Sequence, residues 1–360
     1  MTHKKNILLC PMDWGLGHAT RMVPVIELLK SQNVNMILGA DNRPYEFLKR
    51  RFPEVELVRF PGYAPRYPSK GSMAIKMISE MPDMLRFSDK AHNLLEEFVK
   101  KRSVDVVISD NRYELWSKQA KTVFITHQLN VQTPKYGKMT NLALRQIIYS
   151  FIKKHDEVWI PDFEGENNLS GKLSHVNKFP VSNYHFIGPL SRFQFVKPKP
   201  VKENIDILII LSGPEPQRTI LEVKLKDQVF QTGLRTVILQ GRPEDGHHEK
   251  IGNIDIYSHL CDEEIAGLIH AAKLVISRPG YTTLMDLAYF GAKAVFIPTP
   301  GQTEQKYLAK HLKEKGYYYY QKQKDFDINK ALAAAPNYKG IKLQNDLNEL
   351  KKRITTLLEK

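Results

Sequence analysis

Residues 5–21 read KNILLCPMDWGLGHATR, and this stretch indicates the fold class. A short apolar run leads into a turn that contains glycine, and a helical pattern begins directly after the turn. Consecutive apolar residues are typical of a strand that is buried on both faces, as in a parallel sheet covered by helices. The order of strand, turn and helix returns at 205–218, which read IDILIILSGPEPQR. Two such openings predict two α/β domains.

The rest of the chain alternates short β-branched runs with longer helical patterns, which favours doubly wound parallel sheets. In the first half, strands are predicted at 6–11, 35–39, 55–60, 104–109, 122–126, 157–160 and 184–187. In the second half, strands are predicted at 205–212, 236–240, 254–257, 274–277 and 294–298, and helices at 218–230, 263–271, 282–290 and 304–315.

The stretch 189–204 contains several prolines and lacks an apolar period, so it is predicted as an interdomain linker. We therefore expect an N-terminal domain at 1–188 and a C-terminal domain at 205–340. A last helix is predicted within 341–360, and packing back on the N-terminal domain is one arrangement open to it.

Composition excludes several classes of protein. The 360 residues are 42% hydrophobic and 26% charged, which is unlike a disordered chain. Two distant cysteines, Cys10 and Cys261, exclude a disulfide framework and favour a reducing compartment. No apolar run reaches the ~18 residues of a membrane span, so we expect a cytoplasmic protein, with the inner face of the membrane as an option. The net charge of +14 favours anionic partners: nucleotides, nucleic acid or an acidic membrane surface.

The turn after the first strand carries a candidate catalytic histidine. Gly15 and Gly17 allow a tight turn and the close approach of a ligand to the backbone. His18 follows at the start of a helix, whose dipole disfavours the charged imidazolium. Because a general base must be neutral, we predict that His18 is catalytic. The alternative is that His18 only caps the helix or packs against it.

The turn at 212–218 is a candidate site for a pyrophosphate. Ser212 and Gly213 offer a hydroxyl and backbone N–H groups near the positive end of a helix, and Arg218 is placed to reach an anion. The alternative is an ordinary Gly-Pro turn without a ligand.

Residues 277–309, SRPGYTTLMDLAYFGAKAVFIPTPGQTEQKYLA, carry the strongest signal. Gly280, Thr282 and Thr283 lie at a predicted helix start, where phosphate is readily held. Asp286 lies one turn into that helix, where it is expected to accept hydrogen bonds from ribose hydroxyls.

Glu304 and Gln305 begin the next helix with a carboxylate and an amide, the groups that bind neighbouring hydroxyls of a polyol. The whole block resembles the donor-binding block of GT-B nucleotide-sugar glycosyltransferases. Among these it is similar to the MurG-type enzymes, which transfer N-acetylglucosamine from UDP-N-acetylglucosamine. The stretch GLGHATR at 15–21 is similar to that family's glycine-rich loop ending in histidine. The resemblance implies two Rossmann-like domains that face each other across a cleft.

The resemblance also implies roles for single residues. Asp286 matches the ribose carboxylate, although the family usually has the longer glutamate there, and Leu260 lies near the segment that contacts the base. Glu304 and Gln305 match the contacts to the donor sugar, and Ser212–Gly213 matches the phosphate turn. Arg278, like Arg218, is expected to stabilise the diphosphate. The candidates on the acceptor side are Asp13, Asp110, Arg112 and His127.

The reaction implied is an inverting transfer that uses neither a metal nor another cofactor. An acceptor hydroxyl deprotonated by His18 attacks the anomeric carbon as the nucleoside diphosphate leaves. The expected partners are a nucleotide-sugar donor, with uridine as the expected base, and a sugar or lipid-linked glycan acceptor. Peripheral contact with an anionic membrane is a further option, and no nucleic acid is expected.

Two other functions stay open. A nucleotide-sugar hydrolase or epimerase could use the same fold. A basic, non-catalytic protein that binds nucleic acid or membrane would explain the charge, but the cations form no single run and no patch interleaved with aromatic residues.

Three further stretches allow two interpretations each. His247-His248-Glu249 suggests a metal site but is predicted to be a loop. Residues 317–320, four tyrosines, are predicted to be a strand rather than a stacking surface. The methionine-rich stretch 68–86 is expected in the core or between domains, or else as an apolar lip for a lipid-linked acceptor.

Overall fold

The structure is a computed structural model, and it describes residues 4–13, 15–63, 80–130, 137–242, 245–343 and 347–359. The chain divides into two compact units. Unit 1 is Met1–Leu190 with Asn345–Lys360, and unit 2 is Ser191–Gln344. Residues 191–204, predicted as a linker, belong to unit 2, where the amide of Lys199 donates to the carbonyl of Glu263 at 2.8 Å.

Unit 1 is built on a seven-stranded sheet in the order β3-β2-β1-β4-β5-β6-β7, and all its pairs are parallel. The strands are β1 (Lys5–Pro11), β2 (Val34–Ala40), β3 (Glu56–Arg59), β4 (Val106–Asp110), β5 (Lys121–Ile125), β6 (Glu157–Ile160) and β7 (Tyr184–Phe186). Each predicted strand of this half is present to within a few residues. The apolar run Ile7 to Cys10 is fully buried, as expected for a central strand covered on both faces.

Within the described residues, the helices between these strands are α1 (Leu16–Lys30), α2 (Asn42–Arg51), α3 (Met81–Arg102) and α4 (Gly137–Ile152). The stretch 68–86 falls mostly outside the described residues. Within its described part, Leu85 is 46% exposed on α3. This residue therefore does not belong to the core.

Unit 2 has a second seven-stranded sheet, in the order β10-β11-β9-β8-β12-β13-β14. Its strands are β8 (Ile205–Ile210), β9 (Thr236–Leu239), β10 (His248–Ile251), β11 (Ile254–Tyr257), β12 (Ala272–Ser277), β13 (Ala294–Phe296) and β14 (Tyr319–Tyr320). Its helices are α5 (Gln217–Phe230), α6 (Asp262–Ala271), α7 (Tyr281–Phe290), α8 (Thr303–Glu314) and α9 (Ile328–Ala334). The apolar faces of β8, α5 and α9 share one core.

The edge strand β10 was predicted as a loop, and it is the one antiparallel strand among the described pairs of this sheet. His248 lies 3.0 Å from Asp255 through Nε2 and stacks on Tyr257, with 4.2 Å between ring centroids. These contacts fix His248 in the hairpin. Among the described residues, no group of three histidine, cysteine or acidic side chains is placed to hold a metal.

A final helix, α10 (Asn348–Glu359), belongs to unit 1 and contacts α1 there. Leu350, Ile354 and Leu357 form its buried face. In the part of the chain that the structure describes, no helix combines the length and apolarity that a membrane span needs.

Each sheet has one point at which the order of strands reverses. It lies between β1 and β4 in unit 1 and between β8 and β12 in unit 2. In open parallel sheets, ligands bind at the carboxyl ends of the strands beside this reversal. His18 follows β1 and Asp110 ends β4, whereas Gly213 follows β8 and Arg278 follows β12. These four residues therefore lie at the sheet edges where open parallel sheets in general bind ligands.

Candidate functional site

Gly15 positions the candidate histidine at the reversal point of unit 1. Its φ of 68° lies in the left-handed region that glycine adopts readily, and it turns the chain from β1 into α1. His18 therefore lies in the first turn of α1. Its side chain is 16% exposed, and its Nδ1 lies 3.3 Å from Oδ2 of Asp110. The ring is thus accessible to solvent and is held against a carboxylate.

Arg21 completes this group and was missed in the sequence analysis. It lies three residues after His18 on the same face of α1 and is buried. Its guanidinium donates to both oxygens of Asp110. One terminal nitrogen lies 2.9 Å from Nδ1 of His18, and the other lies 2.9 Å from Nδ1 of His127. The structure therefore brings together three predicted residues, His18, Asp110 and His127, around an unpredicted arginine.

Asp110 is ionised in this environment. Burial alone would raise the pKa of its carboxyl, but the charges of Arg21 and His18, with their hydrogen bonds, lower that pKa to about 2. The resulting carboxylate faces the ring of His18.

The proton on His18 has two alternative positions. An arginine N–H can only donate and a carboxylate can only accept, yet both lie within reach of Nδ1. With the proton on Nδ1, His18 donates to Asp110 and its Nε2 has a free lone pair. With the proton on Nε2, Nδ1 accepts from Arg21 instead. Only the first tautomer allows Nε2 to act as a base.

Asp13 was predicted on the acceptor side, and the structure gives it a different position. Its carboxylate is buried and accepts backbone N–H groups of Asp41 at 3.1 Å and of Gly62 at 2.6 Å. These bonds hold together the loops that follow β1, β2 and β3. The assignment of Asp13 to the acceptor is therefore corrected to a role in holding loops.

Arg112 requires the same correction. It is buried, and its Nε donates to Oε1 of Glu114. Its terminal nitrogens donate to the carbonyls of Phe60 at 3.2 Å and Pro61 at 2.9 Å. Because these donors already have protein partners, the side chain fixes the end of β3 and does not face an acceptor.

A small polar cradle lies beneath Gly213 in unit 2. Gly213 has a φ of 103°, and a Cβ added there would lie 3.4 Å from Oγ1 of Thr299 and 4.0 Å from Nε of Arg278. Both of these atoms are buried, and neither has a hydrogen-bond partner among the described residues. A buried donor without a partner costs about 1–3 kcal/mol. An anion seated at this turn would satisfy both groups.

Arg278 lies under the turn rather than reaching out from it. It is fully buried, and its terminal nitrogens donate to the carbonyl of Ile297 at 2.9 Å and to Oε1 of Gln323 at 2.7 Å. Burial lowers its pKa to about 10, so the side chain stays charged at neutral pH. Arg278 is therefore a fixed cation below the turn, with Nε as the atom directed to the cradle, and its role in stabilising a diphosphate stays a prediction.

Arg218 does not supply the second cation that was predicted. It is buried and pairs with Glu215 at 2.6 Å and Glu222 at 2.7 Å. Since two carboxylates surround its guanidinium, its charge is compensated by Glu222 of α5 and by Glu215 just before that helix. Its assignment as a phosphate ligand is corrected on this ground.

Thr299 connects the cradle to the predicted sugar-binding residues. Its backbone N–H donates to Oε1 of Gln305 at 2.8 Å. Glu304 lies beside Gln305 in the first turn of α8 and is half-buried. Thr299 was not among the predicted site residues, although it follows β13 at the same sheet edge as Gly213. Its position directly after a strand of the parallel sheet could have identified it from the sequence.

Gly280, Thr282 and Thr283 surround the start of α7, as predicted. Gly280 is the residue before the helix, and both threonines lie in its first turn and are half-buried. α7 directly follows β12, so its positive end lies at the reversal point of the sheet. Their role in phosphate binding stays a prediction.

Asp286 is not an open carboxylate. It is buried and accepts a hydrogen bond from Oγ of Ser191 at 2.7 Å, and Nε of Arg192 lies 3.9 Å from it. Burial raises the pKa of Asp286 to about 6, although Arg192 and Ser191 act in the opposite direction. Arg192 also lies 3.3 Å from Asp262, which begins α6 two residues after the half-buried Leu260. Asp286, Arg192 and Asp262 thus form one polar cluster, and Leu260 lies two residues before Asp262 in the chain.

Comparisons with known proteins show what the chain is similar to. Residues 221–352 match the model of the glycosyltransferase family 28 C-terminal domain. The chain is 24% identical over 342 residues to an uncharacterized glycosyltransferase of Methanosarcina acetivorans, covering 87% of this chain and 82% of that protein. It is 27% identical over 155 residues to the UDP-N-acetylglucosamine–N-acetylmuramyl-(pentapeptide) pyrophosphoryl-undecaprenol N-acetylglucosamine transferase of Gloeothece citriformis, covering 41% of this chain and 43% of that protein.

Among solved structures, the chain is similar to MurG of Acinetobacter baumannii. The TM-score is 0.59 at 15% identity, and the match covers 98% of this chain and 99% of that one. This likeness confirms the fold class expected from the sequence, two parallel-sheet α/β domains of the GT-B kind.

Proposed function

We propose that this chain, a glycosyltransferase with a MurG-like GT-B fold, moves a sugar from a nucleoside diphosphate to an acceptor hydroxyl with inversion and without a metal. The observation that carries the proposal is the pair of unpartnered donors, Arg278 Nε and Thr299 Oγ1, beneath Gly213. A diphosphate has the charge and the oxygens to satisfy both. The relative from Gloeothece citriformis, named for UDP-N-acetylglucosamine, supports a uridine diphosphate hexose or N-acetylhexosamine as the donor.

The donor is proposed to bind unit 2 in three parts. Its diphosphate lies over the Gly213 cradle and at the first turn of α7. The hydroxyls of its sugar contact Glu304 and Gln305, since Gln305 is already fixed to Thr299. Its nucleoside lies near Leu260 and Asp286, with a ribose hydroxyl taking the place of the Ser191 hydroxyl on Asp286.

The base is proposed to be His18 in the tautomer that donates from Nδ1 to Asp110. Nε2 then takes the proton of the acceptor hydroxyl, and the oxygen attacks the anomeric carbon from the side opposite the diphosphate. The bond to the leaving diphosphate breaks, and its electron pair passes to the diphosphate oxygen. Attack from the opposite side inverts the anomeric centre. Asp110 stabilises the imidazolium that forms.

Charge on the leaving group is proposed to be balanced by the protein itself. Arg278 provides a fixed positive charge below the cradle, and the N–H groups at the start of α7 add to it. These groups are the basis for proposing transfer without a metal. For the acceptor we propose a sugar or a lipid-linked glycan, as the name of the Gloeothece citriformis relative suggests. The net charge of +14 supports action at an anionic membrane surface, on its cytoplasmic side.

A thermal-shift screen over nucleotides and nucleotide sugars tests the donor. A ligand at 100 times its dissociation constant stabilises the fold by about 2.7 kcal/mol. Thr299→Val removes the unpartnered hydroxyl at constant shape and is expected to abolish most of the shift caused by a uridine diphosphate sugar. Thr355→Val, the same change at an exposed position of α10, is the control and is expected to keep the full shift.

Two results would change the proposal. If Thr299→Val keeps the full thermal shift caused by the nucleotide sugar, the cradle does not bind the donor. Sugar released at the same rate with and without acceptor would indicate the hydrolase that the sequence left open.

A further inference from the structure

Unit 1 contains a cavity of about 590 Å³ between α4 and the segment 172–180. Four of the described residues that line it carry a positive charge: Arg145, Lys153, Lys172 and Lys178. None of the described lining residues is an aspartate or a glutamate. Such a cavity attracts an anion and disfavours a cation.

Arg145 is the best-placed group in this cavity for binding an anion. Its Nε is buried, and it has no hydrogen-bond partner among the described residues. The guanidinium carbon lies 5.8 Å from the ring centroid of Tyr149, one helical turn further along α4. An arginine donates through a rigid planar fork that matches the oxygens of a phosphate. The guanidinium of Arg145, which lines the cavity, therefore has the shape and the charge to bind a phosphate.

The wall opposite α4 is tied in place by hydrogen bonds. The hydroxyl of Tyr149 donates to the carbonyl of Lys178 at 3.3 Å. The backbone and the side chain of Asn130 donate to the carbonyls of Leu173, at 2.9 Å, and of Lys172, at 3.2 Å. Because these bonds use backbone carbonyls, they position the segment while the lysine ammonium groups stay exposed.

We infer that this cavity binds the phosphate groups of an anionic ligand, with a diphosphate as the class that fits it best. Arg145 donates through its fork, and Lys153, Lys172 and Lys178 supply the remaining charge. Four cations match the charge of a diphosphate more closely than that of a single carboxylate. All these residues belong to unit 1, whereas the proposed donor cradle is in unit 2. The inference therefore does not depend on the proposed function.

Lysine acetylation of the full chain, read by peptide mass spectrometry, tests this inference. Inorganic pyrophosphate is expected to protect Lys153, Lys172 and Lys178 from acetic anhydride but to leave Lys100 and Lys101, exposed at the end of α3, unprotected. Because the readout belongs to single residues, pyrophosphate bound in unit 2 does not affect it. Equal protection of the two sets by pyrophosphate would overturn the inference, and so would protection of neither set by pyrophosphate and by vesicles of phosphatidylglycerol.

Variants test the role of each charge. Arg145→Gln is expected to raise the pyrophosphate concentration for half-protection at least about tenfold, as loss of a charge-assisted hydrogen bond implies. The double variant Lys100→Gln with Lys101→Gln removes more charge elsewhere on unit 1 and is expected to change nothing. If Arg145→Gln does not fold, the double variant Lys153→Gln with Lys172→Gln takes its place. The pyrophosphate concentration for half-protection of Lys178 is then measured in that variant. Unchanged half-protection in these cavity variants contradicts the inference.

The source of the phosphate is distinguished by the probe. Protection by pyrophosphate, with none by vesicles of phosphatidylglycerol, indicates a free phosphorylated ligand. Protection by those vesicles, with none by pyrophosphate or by vesicles of phosphatidylcholine, indicates a lipid headgroup. Both outcomes support a phosphate site in this cavity.

Discussion

Arg21 and Asp110 form a bidentate ion pair in the interior of unit 1, although 89 residues separate them in the chain. Both side chains are almost completely buried. The pair links the first helix to the end of β4, and both histidines of the site contact its arginine. One interaction therefore holds the backbone at the reversal point and also orients the candidate base.

Replacement of Arg21 is expected to destabilise the protein strongly. In Arg21→Gln the carboxylate of Asp110 stays buried without its cation, and such a loss typically costs about 3–5 kcal/mol. Urea unfolding followed by circular dichroism measures the change. Arg102→Gln breaks an exposed pair with Glu56 and is the control, for which a far smaller loss is expected. Equal losses of stability in the two variants would show that the buried Arg21–Asp110 pair stabilises the protein no more than an exposed pair does.

Replacement of His18 is expected to slow the reaction and to spare donor binding. A general base contributes about 10²–10⁴-fold to turnover, so His18→Ala is expected to lower kcat in a sugar-transfer assay by that range. The affinity for the donor, measured by calorimetry, is expected to stay the same because the donor cradle is in unit 2. His247→Ala, an exposed histidine on the turn before β10, is the matched control. A normal kcat in His18→Ala would show that His18 is not the base.

Asp286 is expected to make stability depend on pH. Its folded pKa of about 6 lies above its ordinary value of 3.8, so the native state holds a proton that the unfolded chain releases. The contribution of Asp286 to stability is therefore greatest below about pH 4, falls by about 3 kcal/mol as the pH rises from there through 6, and is constant above that. Urea unfolding at a series of pH values measures this fall.

Two variants identify Asp286 as the source of that fall. Asp286→Asn is expected to lack it, because no proton is gained or lost at this position. Ser191→Ala removes a hydrogen bond that favours the ionised form and is expected to move the fall to higher pH. A fall that persists in Asp286→Asn would assign it to another group.

A pair of glycine variants separates the cradle from backbone strain. Gly213 and Gly233 both have positive φ angles, so an alanine at either position strains the backbone, by roughly 1–2 kcal/mol. Beside Gly213 a Cβ meets Thr299 and Arg278, whereas beside Gly233 no atom lies within 4 Å. Gly213→Ala is expected to weaken binding of uridine diphosphate at least about tenfold, and Gly233→Ala to leave it unchanged. Similar affinities for uridine diphosphate in the two variants, measured by calorimetry, would show that the cradle does not bind the diphosphate.

Much of the fold was predictable because it depends on local patterns. Strands such as β1 and β8 are marked by consecutive apolar residues, and the loops after them fall at the carboxyl edge of a parallel sheet. That rule alone places His18 and Gly213 where ligands bind. The edge strand β10 was missed because its polar, exposed residues carry no apolar period.

The partners of the site residues were less predictable because most of them are distant in sequence. The burial of Arg21 depends on Asp110, and the engagement of Asp286 depends on Ser191, 95 residues earlier. Arg218 is different, since Glu222 lies four residues later on the same helix and the pairing was readable from that spacing. The cavity beside Arg145 gave no local signal, because its cations come from two segments of the chain.

The position of α10 has a consequence for how the protein is made. Unit 1 begins with β1 but includes Asn345–Lys360, so the ribosome must synthesise all of unit 2 before the partner of α1 exists. Until then, the surface of unit 1 that receives Leu350, Ile354 and Leu357 remains uncovered. A shortened chain that stops at Leu190 would keep that exposed apolar surface permanently, and chaperones and proteases recognise such surfaces. Translation of unit 1 thus begins before that of unit 2, but unit 1 completes its fold only after unit 2 has been synthesised.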